Sequence, residues 1–251
     1  MSTIGFQILF IALLGWTCGI LVNYLSDILP IKRRLATPIC LHCQTPQSPW
    51  NYFFWPRRCL HCGHRRSTRT WLVEFIYVTA AVWIWLSPPA ILGFGIGLII
   101  FIYLGIVWII DQEHRLILNT LIVVGLILGL ISGTLRNGLL PTLIGGLSGL
   151  TFMLIIYLFG YLFVWVMHRW RQTDLNEAAM GFGDVLLGAV IGLMVGFPEI
   201  IQSLTLTIIA AGLFSLIYVL VMLLTRRYRL GMVFPYGPFM IAGAIYVLFF
   251  L

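Results

Sequence analysis

The sequence predicts an all-α, polytopic membrane protein with about eight transmembrane helices and one small polar loop near its amino end. Three observations carry that expectation. Of 251 residues, 61% are hydrophobic and only 9% are charged, with a mean hydropathy of +1.02, whereas a soluble domain carries about 25% charge. The chain breaks into eight long apolar runs, and its basic residues gather in the breaks between them. So little polar material excludes a soluble dinucleotide enzyme, a secreted disulfide scaffold and a disordered polar chain.

A hydrocarbon core about 30 Å thick takes roughly 20 residues of helix. Runs of that kind fall at 4–26, 71–87, 90–110, 116–133, 140–167, 179–197, 200–224 and 233–251. No basic residue precedes Lys32, so the first run lacks the positive start of a secretory leader and is expected to remain as a helix over 1–30. The second and fourth runs are expected to be the shortest, and Pro198 leaves little loop between the sixth and seventh. Glycines four apart, at Gly93 and Gly97, Gly125 and Gly129, Gly145 and Gly149, and Gly188 and Gly192, predict close helix packing. None forms a GxGxxG after a strand, so a dinucleotide site has no support.

If all eight runs cross, the breaks alternate sides, and 14 of the 15 Lys and Arg residues collect on one of them. Only Arg136 falls on the other. The positive-inside rule then places the 31–70 loop in the cytoplasm and both termini outside. Trp71, Trp108, Trp165 and Trp170 near run ends fit an interfacial belt. The net charge of +7 and the isoelectric point near 9.4 therefore report membrane topology, with lipid as the neighbour and no nucleic acid as partner.

Within the 31–70 loop, Cys40-x2-Cys43 and Cys59-x2-Cys62 are separated by fifteen residues, the spacing of a tetrathiolate zinc site. Two such knuckles offer four thiolates to one ion and give a coreless loop a reason to fold. One structural zinc per chain is expected. A pair of redox disulfides is the competing reading, disfavoured in a reducing cytoplasm. His42, His61 and His64 are expected to be solvated, and Cys18, inside the first run, to be a small core residue.

Of the eight acids, Asp111 closes the apolar run 101–110 and Asp184 opens the run 185–195, so each carboxylate lies at the cytoplasmic edge of a span. Burying such charges costs several kcal/mol, and two carboxylates brought together share a proton. A pair of this kind can hold a water, the ionised member drawing off its proton while the protonated one polarises a peptide carbonyl. The competing readings are a loop-hydrated Asp111 and an Asp184 that caps its helix, and on spacing alone both stand. Glu113 lies about 200° around the helix from Asp111. Asp174 and Glu177 are expected in a solvated loop. A proton-coupled or ion-conducting transporter also uses intramembrane acids, but it predicts a repeated half and acids near mid-bilayer.

In order along nearly the whole chain, these segments resemble the type IV leader peptidase family, the prepilin peptidases among the GxGD membrane aspartic proteases. GILVNYLSDILP (19–30) resembles the family's opening GSFLNVVxxRLP, and the Cys40–Cys62 loop its cytoplasmic zinc loop. WLVEF, with Glu74, resembles the YPxVE segment, DQEHRLILN (111–119) the first catalytic motif, GFGDVLL (181–187) the GxGDVKL motif, and FPYGPF (234–239) the closing PFGPF. The resemblance implies that Asp111 and Asp184 are the catalytic pair of an aspartic endopeptidase core over 71–251, which removes leaders from type IV prepilins or pseudopilins at the cytoplasmic side of the bacterial inner membrane. It also implies N-methylation of the new amino terminus with S-adenosylmethionine, for which Glu74 is a candidate contributor. A Glu74 paired with Arg69 or Arg66 is the alternative.

Three positions depart from the pattern: Leu118 stands for the Pro of IPN, Leu186 for the Lys of GDVK, and Ile28 for the Arg before Leu-Pro. Both carboxylates and the glycines around Asp184 are kept. Asp184 at a helix amino end and Asp111 at a carboxyl end, where the preceding apolar run limits hydration, predict from both the dipoles and the hydration an ionised Asp184 and a protonated Asp111, unless Arg115 folds back.

Overall fold

A computed structural model describes residues 2–54, 56–171, 181–226 and 235–251. The expected polar loop with Asp174 and Glu177 lies outside the described residues. Within them the fold is helical: α1 (Ser2–Lys32), α2 (Pro49–Phe53), α3 (Thr68–Leu86), α4 (Gly93–His114), α5 (Asn119–Asn137), α6 (Leu139–Arg171), α7 (Phe182–Val195), α8 (Glu199–Leu224) and α9 (Gly237–Phe250). Apart from the short α2, these match the eight apolar runs one for one. Six of them, α1, α3, α4, α5, α6 and α8, are long and apolar enough to cross a membrane, and the chain is a multi-pass membrane protein.

Length is where the expectation fails. The second and fourth runs form 19-residue helices, while α7 and α9 have only 14 residues each, or about 21 Å. Helices α3 and α5 gain length because they continue through Thr68–Thr70 and Arg136–Asn137, whose polar side chains do not interrupt a backbone ladder. Helix α7 is bounded by Gly181 in an extended conformation and by Gly196 at φ +81°. It tolerates its shortness because its apolar surface, from Val185 to Val195, is buried among neighbouring helices.

The chain divides into two compact units, Met1–Ile110 and Asp111–Leu251. In the first, α1 packs on α3 at glycines: a Cβ on Gly15 would stand 2.6 Å from the Tyr77 carbonyl oxygen, and one on Gly19 would stand 2.8 Å from Glu74 Cα. Tyr77 donates to the Phe101 carbonyl at 3.0 Å, its hydroxyl lying in the notch left by Gly105. Gly93 does not pack. It opens α4 at φ +66° with open space around it, so the turn, rather than a neighbouring helix, accounts for it.

In the second unit, Gly145 faces Gly192 and Gly149 faces Gly188, backbone against backbone. Their numbers fall as their partners' rise, so α6 and α7 are antiparallel. Gly129 meets Val190 and Leu193, and Gly133 meets Leu193, so α5 and α7 run parallel. Gly243 sits against the Ser203 carbonyl and Thr207 donates to the Phe239 carbonyl at 3.4 Å, which sets α8 antiparallel to α9. These close contacts hold α5 to α9 together, and Gly237 at the start of α9 lies against Asp111 in the last turn of α4.

Candidate active site and candidate metal centre

The loop between α1 and α3 contains a repeat, Cys40-Leu41-His42-Cys43-Gln44 and Cys59-Leu60-His61-Cys62-Gly63. Each copy folds as the same knuckle. The N–H of Cys40 donates to Thr45 and that of Cys59 to His64, both at 2.9 Å, and single antiparallel bridges pair Ile39 with Pro46 and Arg58 with Arg65. Gln44 and Gly63 take φ +56° and +71°, the left-handed turn that lets the chain double back. The result brings all four sulfurs within 4.8 Å of one another, with Cys40 Sγ 3.7 Å from Cys62 Sγ and Cys43 Sγ 3.6 Å from Cys59 Sγ. All four are free thiols, and the cluster can hold a metal ion. His42 and His64 stack on each other, 5.2 Å between centroids, and both are exposed, as is His61.

The knuckles also divide the protons among the sulfurs. Donation from the N–H of Cys62, from Gln47 and from the N–H of His61 brings the Cys59 thiol down to about 5. At Cys62 the N–H of His64 acts in the same direction, but burial and contacts with the other three sulfurs outweigh it and push the thiol up to about 12.

The first unit holds two acids in cationic surroundings. Glu74, 4% exposed, pairs with Arg57 at 3.0 Å and accepts from the Trp16 indole at 2.9 Å. Its partner is thus Arg57, not Arg69 or Arg66. Those two arginines instead hold Asp27: Arg66 Nη2 lies 2.6 Å from Oδ2, and Arg69 binds Oδ1. The Tyr52 hydroxyl also donates to Asp27, and burial together with that carboxylate raises the phenol's pKa above its ordinary value. Asn23, fully buried, donates to the Thr70 carbonyl at 3.1 Å. Asp27 had no role in the sequence reading, although it lies one helical turn after Asn23 and just before the densest run of basic residues.

The second unit holds two acids of a different kind. Asp111, in the last turn of α4, is 4% exposed, and the N–H of Gly237 donates to its carboxylate. Its Oδ2 has no hydrogen-bond partner among the described residues. Asp184 is the third residue of α7, not its cap, and its carboxylate reaches back to the N–H of Gly181, which is the cap. The two carboxylates interact electrostatically, and the charge of Arg115 reaches Asp111. Among the described residues no cation is in ion-pair contact with either acid. Gly183 brings the two motifs together, since a Cβ there would stand 2.9 Å from Ile117 Cβ. Glu113 is exposed.

The departures are accommodated. Leu118 caps α5 at φ −72°, an angle proline also adopts. Ile28 is fully buried and Leu186 partly so.

The family model for the type IV leader peptidase family matches residues 98–220, a stretch containing Asp111 and Asp184. A protein named prepilin leader peptidase/N-methyltransferase from Aeromonas hydrophila is 26% identical over 230 residues, covering 87% of this chain and 73% of that protein. Its namesake in Pseudomonas aeruginosa is 31% identical over 141 residues, 56% of this chain and 44% of that protein. Another, from Pectobacterium carotovorum, is 27% identical over 82% of this chain and 72% of its own length. No solved structure matches. The family match and these relatives together support a type IV prepilin peptidase.

Proposed function

We propose that this protein is a membrane aspartic endopeptidase that removes the leader peptide of type IV prepilins or pseudopilins, with Asp111 and Asp184 as the catalytic carboxylates. One observation carries the reading: two acids from α4 and α7 interact within one unit, while no cation among the described residues pairs with either. Acids arranged this way are suited to sharing a proton. The ionised carboxylate takes a proton from a water whose oxygen attacks the scissile carbonyl carbon, and the protonated one donates to the carbonyl oxygen. Collapse of the tetrahedral intermediate breaks the C–N bond, and the leaving amine takes up a proton. The relatives are named as peptidases, and both acids lie at helix ends rather than mid-span, which favours this chemistry over transport.

The asymmetry of basic residues supports a location in the bacterial inner membrane, with the site and the 31–70 loop facing the cytoplasm. It goes with a division into a first helix (1–30), a metal loop (31–70) and a protease core (71–251). In the loop, zinc fits the donor set: Zn–S bonds of about 2.3 Å make a tetrahedron with edges of about 3.8 Å, beside sulfur separations of 3.6 and 3.7 Å. Four thiolates leave no open position for water, so the ion is structural.

The relatives' second printed activity, N-methyltransferase, extends to this chain in the same proposal, with S-adenosylmethionine as the group that supplies the methyl. Arg57 Nη1 is buried and without a partner among the described residues, a donor suited to the carboxylate of such a molecule. Glu74, committed to Arg57 and Trp16, contributes by orienting that guanidinium.

Incubating the purified protein in detergent with a prepilin tests the reading. A shortened product from the wild type, absent with Asp111→Ala or Asp184→Ala at normal membrane levels, is expected. Substantial cleavage by either variant, or equal loss with Asp174→Ala, contradicts it. Mass spectrometry that finds only unmethylated product at saturating donor removes the second activity.

A further inference from the structure

We propose that Gly237 is a positioning residue for Asp111, its N–H holding the carboxylate and its missing side chain making room for it; this rests on the reading of Asp111 as catalytic. A Cβ on Gly237 would stand 2.5 Å from Asp111 Oδ2 and 3.1 Å from Cγ. The backbone there is not in the left-handed region, so conformation alone does not call for glycine. The first turn of α9 leaves this N–H available: Pro238 has none, and the N–H groups of Phe239 and Met240 turn to the Tyr236 carbonyl at 3.2 and 3.3 Å. Asp111 is 4% exposed, and its Oδ2, which has no hydrogen-bond partner among the described residues, lies against Gly237 at the helix end.

Helix α9 thereby gives Asp111 the amino-terminal environment that α7 gives Asp184. The dipole difference expected from α4 and α7 alone is offset. The other charged groups facing Asp111 are the Arg115 cation at the end of its own helix and Asp184 from α7, which the Tyr236 phenol from the cap of α9 faces in turn, while Glu113 and His114 on the same turn as Asp111 are exposed. The Arg115 charge adds to the side of Asp111.

Difference infrared titration of wild type against Asp111→Asn reads the Asp111 carboxyl without needing cleavage. In Gly237→Ala the displaced donor no longer favours the ionised form, so Asp111 should take up its proton about one pH unit higher, a tenfold change in proton affinity. The acidic limb of cleavage should move up with it. Gly243→Ala, which crowds the Ser203 carbonyl from the same helix, should leave the Asp111 titration in place. Should Gly237→Ala not fold, amide exchange at Gly237 should quicken in Asp111→Ala. An unmoved Asp111 titration in Gly237→Ala, or unchanged exchange at Gly237, overturns the inference. A protein that shows these shifts but cleaves no prepilin overturns the proposed function, leaving only the contact of Gly237 with Asp111.

Discussion

Asp27 and Asp111 are buried alike, 2% and 4% exposed, and their surroundings could hardly differ more. Asp27 faces two guanidinium groups and a phenol. Asp111 faces a backbone N–H and a second carboxylate, and one of its oxygens has no partner among the described residues. A carboxylate gripped by two fixed cations and a phenol is committed to those partners, so Asp27 holds structure. One balanced by a dipole and a like charge can change protonation state at modest cost. The same contrast separates Glu74, ion-paired to Arg57, from Asp184.

The largest stability effect should come from breaking the first kind of site. Asp27→Asn leaves Arg66 and Arg69 facing a neutral amide, and removing one partner of a buried ion pair costs about 3–5 kcal/mol. Thermal unfolding in detergent checks this, and an unchanged midpoint would deny Asp27 its structural role. Glu74→Gln should cost less, about 1–3 kcal/mol, because the amide oxygen still accepts from Trp16. If Glu74 also supports methyl transfer, this variant should reduce methylation more than cleavage.

At the cysteine loop, Cys40→Ser should lower zinc content and the stability of the loop, with only an indirect effect on cleavage. Full metal occupancy in a variant lacking both Cys40 and Cys59 would refute the assignment of ligands. The subtlest effect concerns protons. At pH 7 a Cys59 brought down to about 5 is already a thiolate, whereas a Cys62 near 12 is not. Zinc added to the metal-free protein in weak buffer should therefore release fewer than four protons per ion, and a release of four would contradict that distribution.

Much of this architecture is legible in the sequence because it rests on repeated, local signals. Eight apolar runs announce eight apolar helices, and the paired CxxC spacing announces a four-sulfur cluster. The lengths of α7 and α9 are not legible, since they are set by Gly181, Gly196 and Tyr236 and by burial among longer helices. Asp111 and Asp184 stand out as acids at the ends of apolar runs, but their approach to each other depends on Gly183 packing against Ile117, which no spacing reveals. The choice of Arg57 over Arg69 by Glu74 is likewise a product of how the loop folds, because several arginines lie within reach along the chain. Gly237 is visible as part of a motif, yet its task becomes apparent only beside Asp111 Oδ2.

The distinction between acids that hold and acids that react is tested most directly by measuring cleavage per folded molecule and thermal midpoint together for Asp111→Asn, Asp184→Asn and Asp27→Asn, changes that barely alter side-chain volume. The account predicts that the first two lose cleavage by about a thousandfold or more, equivalent to about 4 kcal/mol, with midpoints at or above that of the wild type. It predicts that Asp27→Asn melts early while its folded fraction still cleaves. Cleavage that survives in Asp111→Asn or Asp184→Asn, or that vanishes in properly folded Asp27→Asn, would contradict it.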